Sequence, residues 1–128
     1  MELAAGIPIF SIFDVDRACE FYCDYLGFTV DFEHRFGENT PLYMQVSRSS
    51  CVIHLSEHHG DATPGAALRV EVADVDDFIG ELKKKPYRYA KPGIIDQPWN
   101  MQESTITDPF GNKLVFYARP NAFSEHSD

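Results

Sequence analysis

The chain has 128 residues, 44% hydrophobic and 24% charged, with ten Phe, six Tyr and one Trp, so it carries enough apolar side chain for a folded domain and not a disordered polymer. A formal charge of -9 repels phosphate, which argues against nucleic acid and anionic membranes as partners and favours neutral or cationic molecules. No apolar run approaches the roughly 18 residues of a membrane span, and Met1-Glu2-Leu3-Ala4 lacks the basic-then-apolar start of a secretory signal, so a cytoplasmic location is expected.

In chain order, Ile9-Phe10-Ser11-Ile12-Phe13 reads as a strand and Asp14 as the cap of a helix, its carboxylate accepting free first-turn amides. Val15, Ala18, Cys19, Tyr22 and Leu26 then fall on one helical face, and Gly27 ends the helix. Strands are expected at 28–36, 42–47 and 51–57, with Ser49-Ser50 as a hairpin turn. His58 to Gly65 is a turn-rich linker. About sixty residues after the first strand the pattern returns. Arg69-Val70-Glu71-Val72 is a strand, Asp74 a cap, and Val75, Phe78, Ile79 and Leu82 one helical face closed by Pro86. Strands follow near 94–98, 103–107 and 113–118, and the tail 121–128 has no periodicity and is expected to be flexible. The class is therefore α+β, with two β-α-β-β-β modules at about 5–58 and 66–118 in a single domain, 1–120.

The cysteines Cys19, Cys23 and Cys51 are odd in number and include no Cys-x-x-Cys pair, which fits a reducing compartment and neither a disulfide framework nor a zinc site. Ser49-Ser50 forms no nucleophile elbow, and no glycine loop for phosphate is present.

Asp108-Pro109-Phe110-Gly111-Asn112 is a turn between strands, with proline presetting the bend and Gly-Asn supplying positive φ. Together with Gln97-Pro98-Trp99, with Asp14, Phe21-Tyr22 and Leu26-Gly27-Phe28, and with the Asp74-Val75-Asp76 repeat, it resembles the vicinal-oxygen-chelate superfamily of glyoxalases, extradiol dioxygenases and bleomycin-resistance proteins. The Gln-Pro-Trp variant looks most like the bleomycin-resistance branch. The resemblance spans about residues 5 to 118 and implies curved mixed sheets around a cup, helices on the convex face, and a homodimer. Pro8 matches a proline that, in that branch, helps the first strand cross to the partner subunit.

The resemblance also gives the positions at which metal-dependent members carry ligands. Here they are Ile7, His54, Ala67 and Val115. Three aliphatic side chains have no lone pair to give, and one imidazole does not make a divalent site, so no metal and no cofactor are expected. His34, His58, His59 and His126 are read as surface residues.

If Ile7, Ala67 and Val115 face the cup, strand alternation sends Phe10, Ile12, Leu68, Val70, Val72, Leu114 and Phe116 toward the helices. The cup then receives Ile9, Ser11, Phe13, Val52, His54, Ser56, Arg69, Glu71, Lys113 and Tyr117, joined by Tyr43, Gln45, Glu103 and Thr105. Arg69 and Glu71 are either ligand groups or solvated residues of an open sheet. Trp99 is either a core or rim aromatic or, by resemblance, a wall of the drug crevice, with Phe32, Glu33 and Phe36 from the region supplying other crevice groups.

The expected function is a non-catalytic binder that holds a small aromatic, cationic molecule in a dimer crevice, through Phe32, Phe36, Tyr43, His54, Arg69, Trp99 and Glu103. Antibiotic resistance is the role that the resemblance implies. The alternative is a metal-independent enzyme of the same fold, with His54 or Glu103 as general base beside Arg69.

Overall fold

The computed structural model describes residues 1–87, 89–97 and 101–119. Trp99 and the tail 121–128, on which two of the expectations above rest, lie outside the described residues.

Two compact units emerge: Met1–Ala66 with Asp108–Asn112, and Ala67–Thr107 with the segment from Lys113 onward. The first contains β1 (Ile9–Ser11), α1 (Val15–Cys19) continued by a π-helical turn (Glu20–Tyr25), β2 (Thr29–His34), β3 (Tyr43–Arg48) and β4 (Cys51–Ser56). The second contains β5 (Ala67–Glu71), α2 (Val75–Lys83), β6 (Ile95–Asp96), β7 (Gln102–Thr107) and β8 (Lys113–Ala118). Each unit holds one mixed four-stranded sheet, ordered β1-β4-β3-β2 and β5-β8-β7-β6. The first strand of each pairs in parallel with the last, and the remaining pairs are antiparallel. This is the repeated β-α-β-β-β plan read from the sequence.

The two helices start alike. Asp14 and Asp74 have extended backbones, φ -154° and -151°, and each accepts the amide three residues on at 3.0 Å. They continue differently. The amide of Leu26 donates to Phe21 O at 2.9 Å and that of Phe28 to Tyr22 O at 2.8 Å, so the first helix widens where a plain helical reading expected none. Gly27 closes it at φ +80°, and a Cβ there would stand 3.0 Å from the Arg48 guanidinium, which donates to Leu26 O.

Strand parity agrees with the sequence. In unit 1, Phe10, Ile12, Met44, Val46, Ile53 and Leu55 are buried with Phe21, Tyr22, Tyr25 and Leu26 of the helical segment. In unit 2, Val75, Ile79 and Leu82 are buried with Ile106, Leu114 and Phe116, and the Phe78 ring lies 4.6 Å from that of Phe116. Each fully buried Leu, Ile or Phe contributes about 1.5–3 kcal/mol. On the opposite faces Ile7, Ile9, Ala67, Arg69 and Glu71 are exposed, whereas Ser11, Ser56 and Glu103, expected in an open cup, are buried.

The Asp108 turn does more than reverse the chain. Gly111 has φ +92°, as expected, whereas Asn112 is not left-handed. Instead Asn112 is fully buried, its amide donating to Ser11 O and Asp108 Oδ2, both at 2.9 Å, and its oxygen accepting from the Ala66 amide. Asp108 also accepts from Tyr22 OH at 2.6 Å and from the amides of Phe110 and Asn112. The turn residues are thus a buried polar hub of unit 1.

Candidate functional site

On the open face of the unit 1 sheet, strand register sets two rows side by side. Ile9, His54, Gln45 and Phe32 stand across from one another in the first, and Ser11, Ser56, Tyr43 and His34 in the second. Phe32 reaches this face through a β-bulge: Val30 stands opposite Val46 and Phe32 opposite Gln45, so Asp31 is the extra residue. Without the bulge, alternation would turn Phe32 away.

His54 is the centre of the cluster. Its Nδ1 lies 2.6 Å from Tyr43 OH and its Nε2 2.9 Å from Gln45 Oε1. Its ring is edge-on to Phe32 at 5.8 Å and to Tyr43 at 5.1 Å. Gln45 Nε2 donates to Asp31 Oδ2 at 3.0 Å. Hydrogen bonds from Gln45 and then Ser47 hold the Asp31 carboxyl below its ordinary range, against a small desolvation effect. Burial, with the Asp61 carboxylate as a second cause, raises the Tyr43 phenol, so Tyr43 keeps its proton.

A second aromatic run lies in the same unit. Phe36, 79% exposed, is edge-on to His34 at 4.6 Å and to His58 at 6.0 Å. Two histidines expected only as surface residues thus frame a large exposed ring. The linker carries more than a connection as well. Together with Ser11, Phe13 and Ser56 it lines a hollow of about 420 Å³. Ser56 Oγ donates to Asp61 Oδ2 at 2.7 Å and Ser11 Oγ to Ala62 O at 2.9 Å, which holds the linker against the ends of β1 and β4.

The expected residues of unit 2 form a separate cluster. Arg69 Nη2 donates to Glu103 Oε2 at 2.9 Å, and its guanidinium lies 4.5 Å above the centre of the Tyr117 ring. Gln97 donates to the other Glu103 oxygen at 3.3 Å. The Glu103 side chain is only 9% exposed and the Arg69 side chain 50%. Glu71 pairs with Arg119 at 3.3 Å. Phe32, Tyr43 and His54 are therefore brought together in one unit, with Phe36 in a neighbouring stack, and Arg69 and Glu103 are brought together in the other. Asp31 and the linker wall were missed. The signal for Asp31 would have been a bulge, which leaves no clear mark in strand alternation, and the linker wall rests on hydrogen bonds from Ser56 and Ser11 that its turn-rich composition does not announce.

Among the described residues no group of three or more His, Cys, Asp or Glu is arranged to hold a metal ion. Nor is any described helix long and apolar enough to cross a membrane.

Comparison with known proteins places the fold. A family model described as glyoxalase superfamily protein covers residues 1–122, and the chain belongs to that superfamily. A bleomycin resistance protein of Geobacillus stearothermophilus is 24% identical over 125 residues, covering 88% of this chain and 94% of the relative. The bleomycin-binding protein of bleomycin-producing Streptomyces verticillus, solved with copper(II)-bleomycin, is 28% identical, with a TM-score of 0.68 over 92% of this chain and 98% of that one. The bleomycin resistance determinant encoded on the transposon Tn5 shares the fold, with a TM-score of 0.71 at 19% identity over 91% of this chain and 98% of that one.

Proposed function

We propose that this chain is a non-catalytic binding protein of the bleomycin-resistance type, which sequesters a small aromatic, cationic molecule in a crevice of a homodimer. The observation that carries the reading is the Phe32–His54–Tyr43 cluster, an aromatic surface open to solvent with a carboxylate beside it. The relatives named above support it, since two are bleomycin-resistance proteins and one was solved with a bleomycin bound.

The rings offer faces and edges to a planar heteroaromatic, and each stacked or edge-on pair is worth about 0.5–1.5 kcal/mol beyond area burial. Asp31 and the negative charge of the chain attract a cationic tail. Phe36, Arg69, Trp99 and Glu103 complete the proposed ligand set, with Arg69 held by Glu103. Ile7, Ala67 and Val115 supply aliphatic surface where metal-dependent relatives supply ligands.

The metal-independent enzyme has less support. Both nitrogens of His54 are engaged by Tyr43 and Gln45, and both oxygens of Glu103 by Arg69 and Gln97, so neither group is poised to take a substrate proton.

Titration with bleomycin and a panel of cationic heteroaromatics tests the reading, followed by the emission of Trp99, the one tryptophan, and by the melting temperature. Saturable changes are expected, with Phe32→Ala weakening binding about two- to tenfold. No change in either signal across the panel would end the drug-binding reading.

A further inference from the structure

The bulge in β2 places a carboxylate at the head of a chain of hydrogen bonds whose direction is determined throughout. Asp31 can only accept, so it takes the Gln45 amide N–H at 3.0 Å. The Gln45 amide group is thereby oriented with Oε1 toward His54, 2.9 Å from Nε2. That oxygen can only accept, so the neutral imidazole carries its proton on Nε2. Nδ1 is then bare and takes the proton of Tyr43 OH at 2.6 Å. The phenol has spent its one hydrogen, and what remains on Oη is lone-pair density.

We infer that the Tyr43 hydroxyl is a fixed acceptor pole, set by Asp31 and Gln45 as positioning residues, and that it selects ligands presenting a charged N–H donor on an aromatic frame. The class is aryl amidinium, aryl guanidinium or an arylalkyl ammonium. Aryl carboxylates are rejected, because they bring a second acceptor to an acceptor. With the opposite tautomer the logic reverses: Nδ1–H would donate to Tyr43, the phenol hydrogen would turn outward, and anions would be welcome. The Asp61 carboxylate, close enough to act on the Tyr43 phenol, adds charge of the same sense. Phe32, edge-on to His54 and 44% exposed, offers the aromatic frame a surface beside the pole. The inference specifies the ligand of the proposed binding site and rests on that reading for its biological meaning, but its test does not use bleomycin.

The experiment uses the whole chain at about pH 8, above the ordinary imidazole range. Long-range nitrogen–proton correlation spectra report the His54 tautomer. Titrations with benzamidine and benzoate, near-isosteric and opposite in charge, report the selectivity through the Tyr43 ring resonances. We expect the Nε2–H tautomer and benzamidine preferred about tenfold, the scale of one charge-assisted hydrogen bond. Gln45→Leu changes no charge. It should mix the tautomers and cut the preference to about threefold or less. Asp31→Asn, which lets the Gln45 amide turn, should mix them too and serves if Gln45→Leu fails to fold. A wild-type Nδ1–H tautomer, equal binding of benzoate, or a tautomer and preference untouched by these variants would overturn the inference. If bleomycin fails to bind while the tautomer and the benzamidine preference stand, the sequestration reading falls and the acceptor pole remains.

Discussion

The two units share a topology and a capping residue but treat polarity differently. In unit 2 the open sheet face closes its charges on itself: Arg69 with Glu103, Glu71 with Arg119, Gln97 on Glu103. In unit 1 the charge sits at the edge, on Asp31, and the polar chain runs inward through Gln45 and His54 to end on the part-exposed Tyr43 hydroxyl among aromatic rings. Unit 1 also contains the buried Asp108 hub, for which no equivalent appears in the described part of unit 2. The same fold plan thus yields a self-neutralising face in one copy and an outward-directed one in the other. Repetition fixes where side chains point, and individual residues decide whether a face is finished or waiting for a ligand.

The sharpest way to break the comparison is Asp108→Ala. It removes the acceptor that Tyr22 OH, the backbone amides of Phe110 and Asn112, and one N–H of the Asn112 side chain share in unit 1. Urea denaturation should show a loss of about 3–5 kcal/mol. A loss under about 1 kcal/mol, the scale of one exposed cap, would mean that the hub carries no special weight. Arg69→Met probes the other unit. It leaves the nearly buried Glu103 without its cation, but the exposure of Arg69 reduces the effect, so about 1–2 kcal/mol is expected.

The cysteines report on unit 1 alone. Burial raises all three thiols, and Cys23 is pushed up to about 11 by burial first and then by Cys19 and Asp24. The folded chain therefore holds this proton more tightly than the unfolded one, whose thiol titrates near 9.0. Stability from this source is complete below pH 9.0 and declines as pH rises toward about 11. The urea midpoint should fall over that window in the wild type and fall less in Cys23→Ala. Equal slopes in the two proteins would contradict the assignment.

Much of the fold was legible because it rests on patterns that survive without coordinates. Asp14 and Asp74 cap, Val75-x-x-Phe78-Ile79 repeats at helical spacing, and the parity of Phe10, Ile12, Leu114 and Phe116 follows once the resemblance sets Ile7 and Val115 on the open face. The candidate site was legible only in part. Tyr43 and His54 were named from alternation whose parity the resemblance set, and Phe32 by resemblance, and the structure brings the three together; the bulge at Asp31 was not read, because one extra residue in a short strand has no composition of its own. The π turn after Cys19 was missed for a similar reason, since it changes a hydrogen-bond register and not the identity of the apolar face. Asn112 was read as a turn former, whereas its burial and its bond to Ser11 O depend on a chain segment far away in sequence.

The central claim is that the open face of unit 1 is a binding surface for an aromatic cation. Mapping backbone and aromatic-ring resonances during titration with bleomycin tests it most directly. Saturable shifts should appear at Phe32, Tyr43, Gln45 and His54, with the β1–β4 core residues Phe10, Ile53 and Leu55 nearly still. Binding whose shifts leave that face untouched, or no binding at all, would contradict the claim.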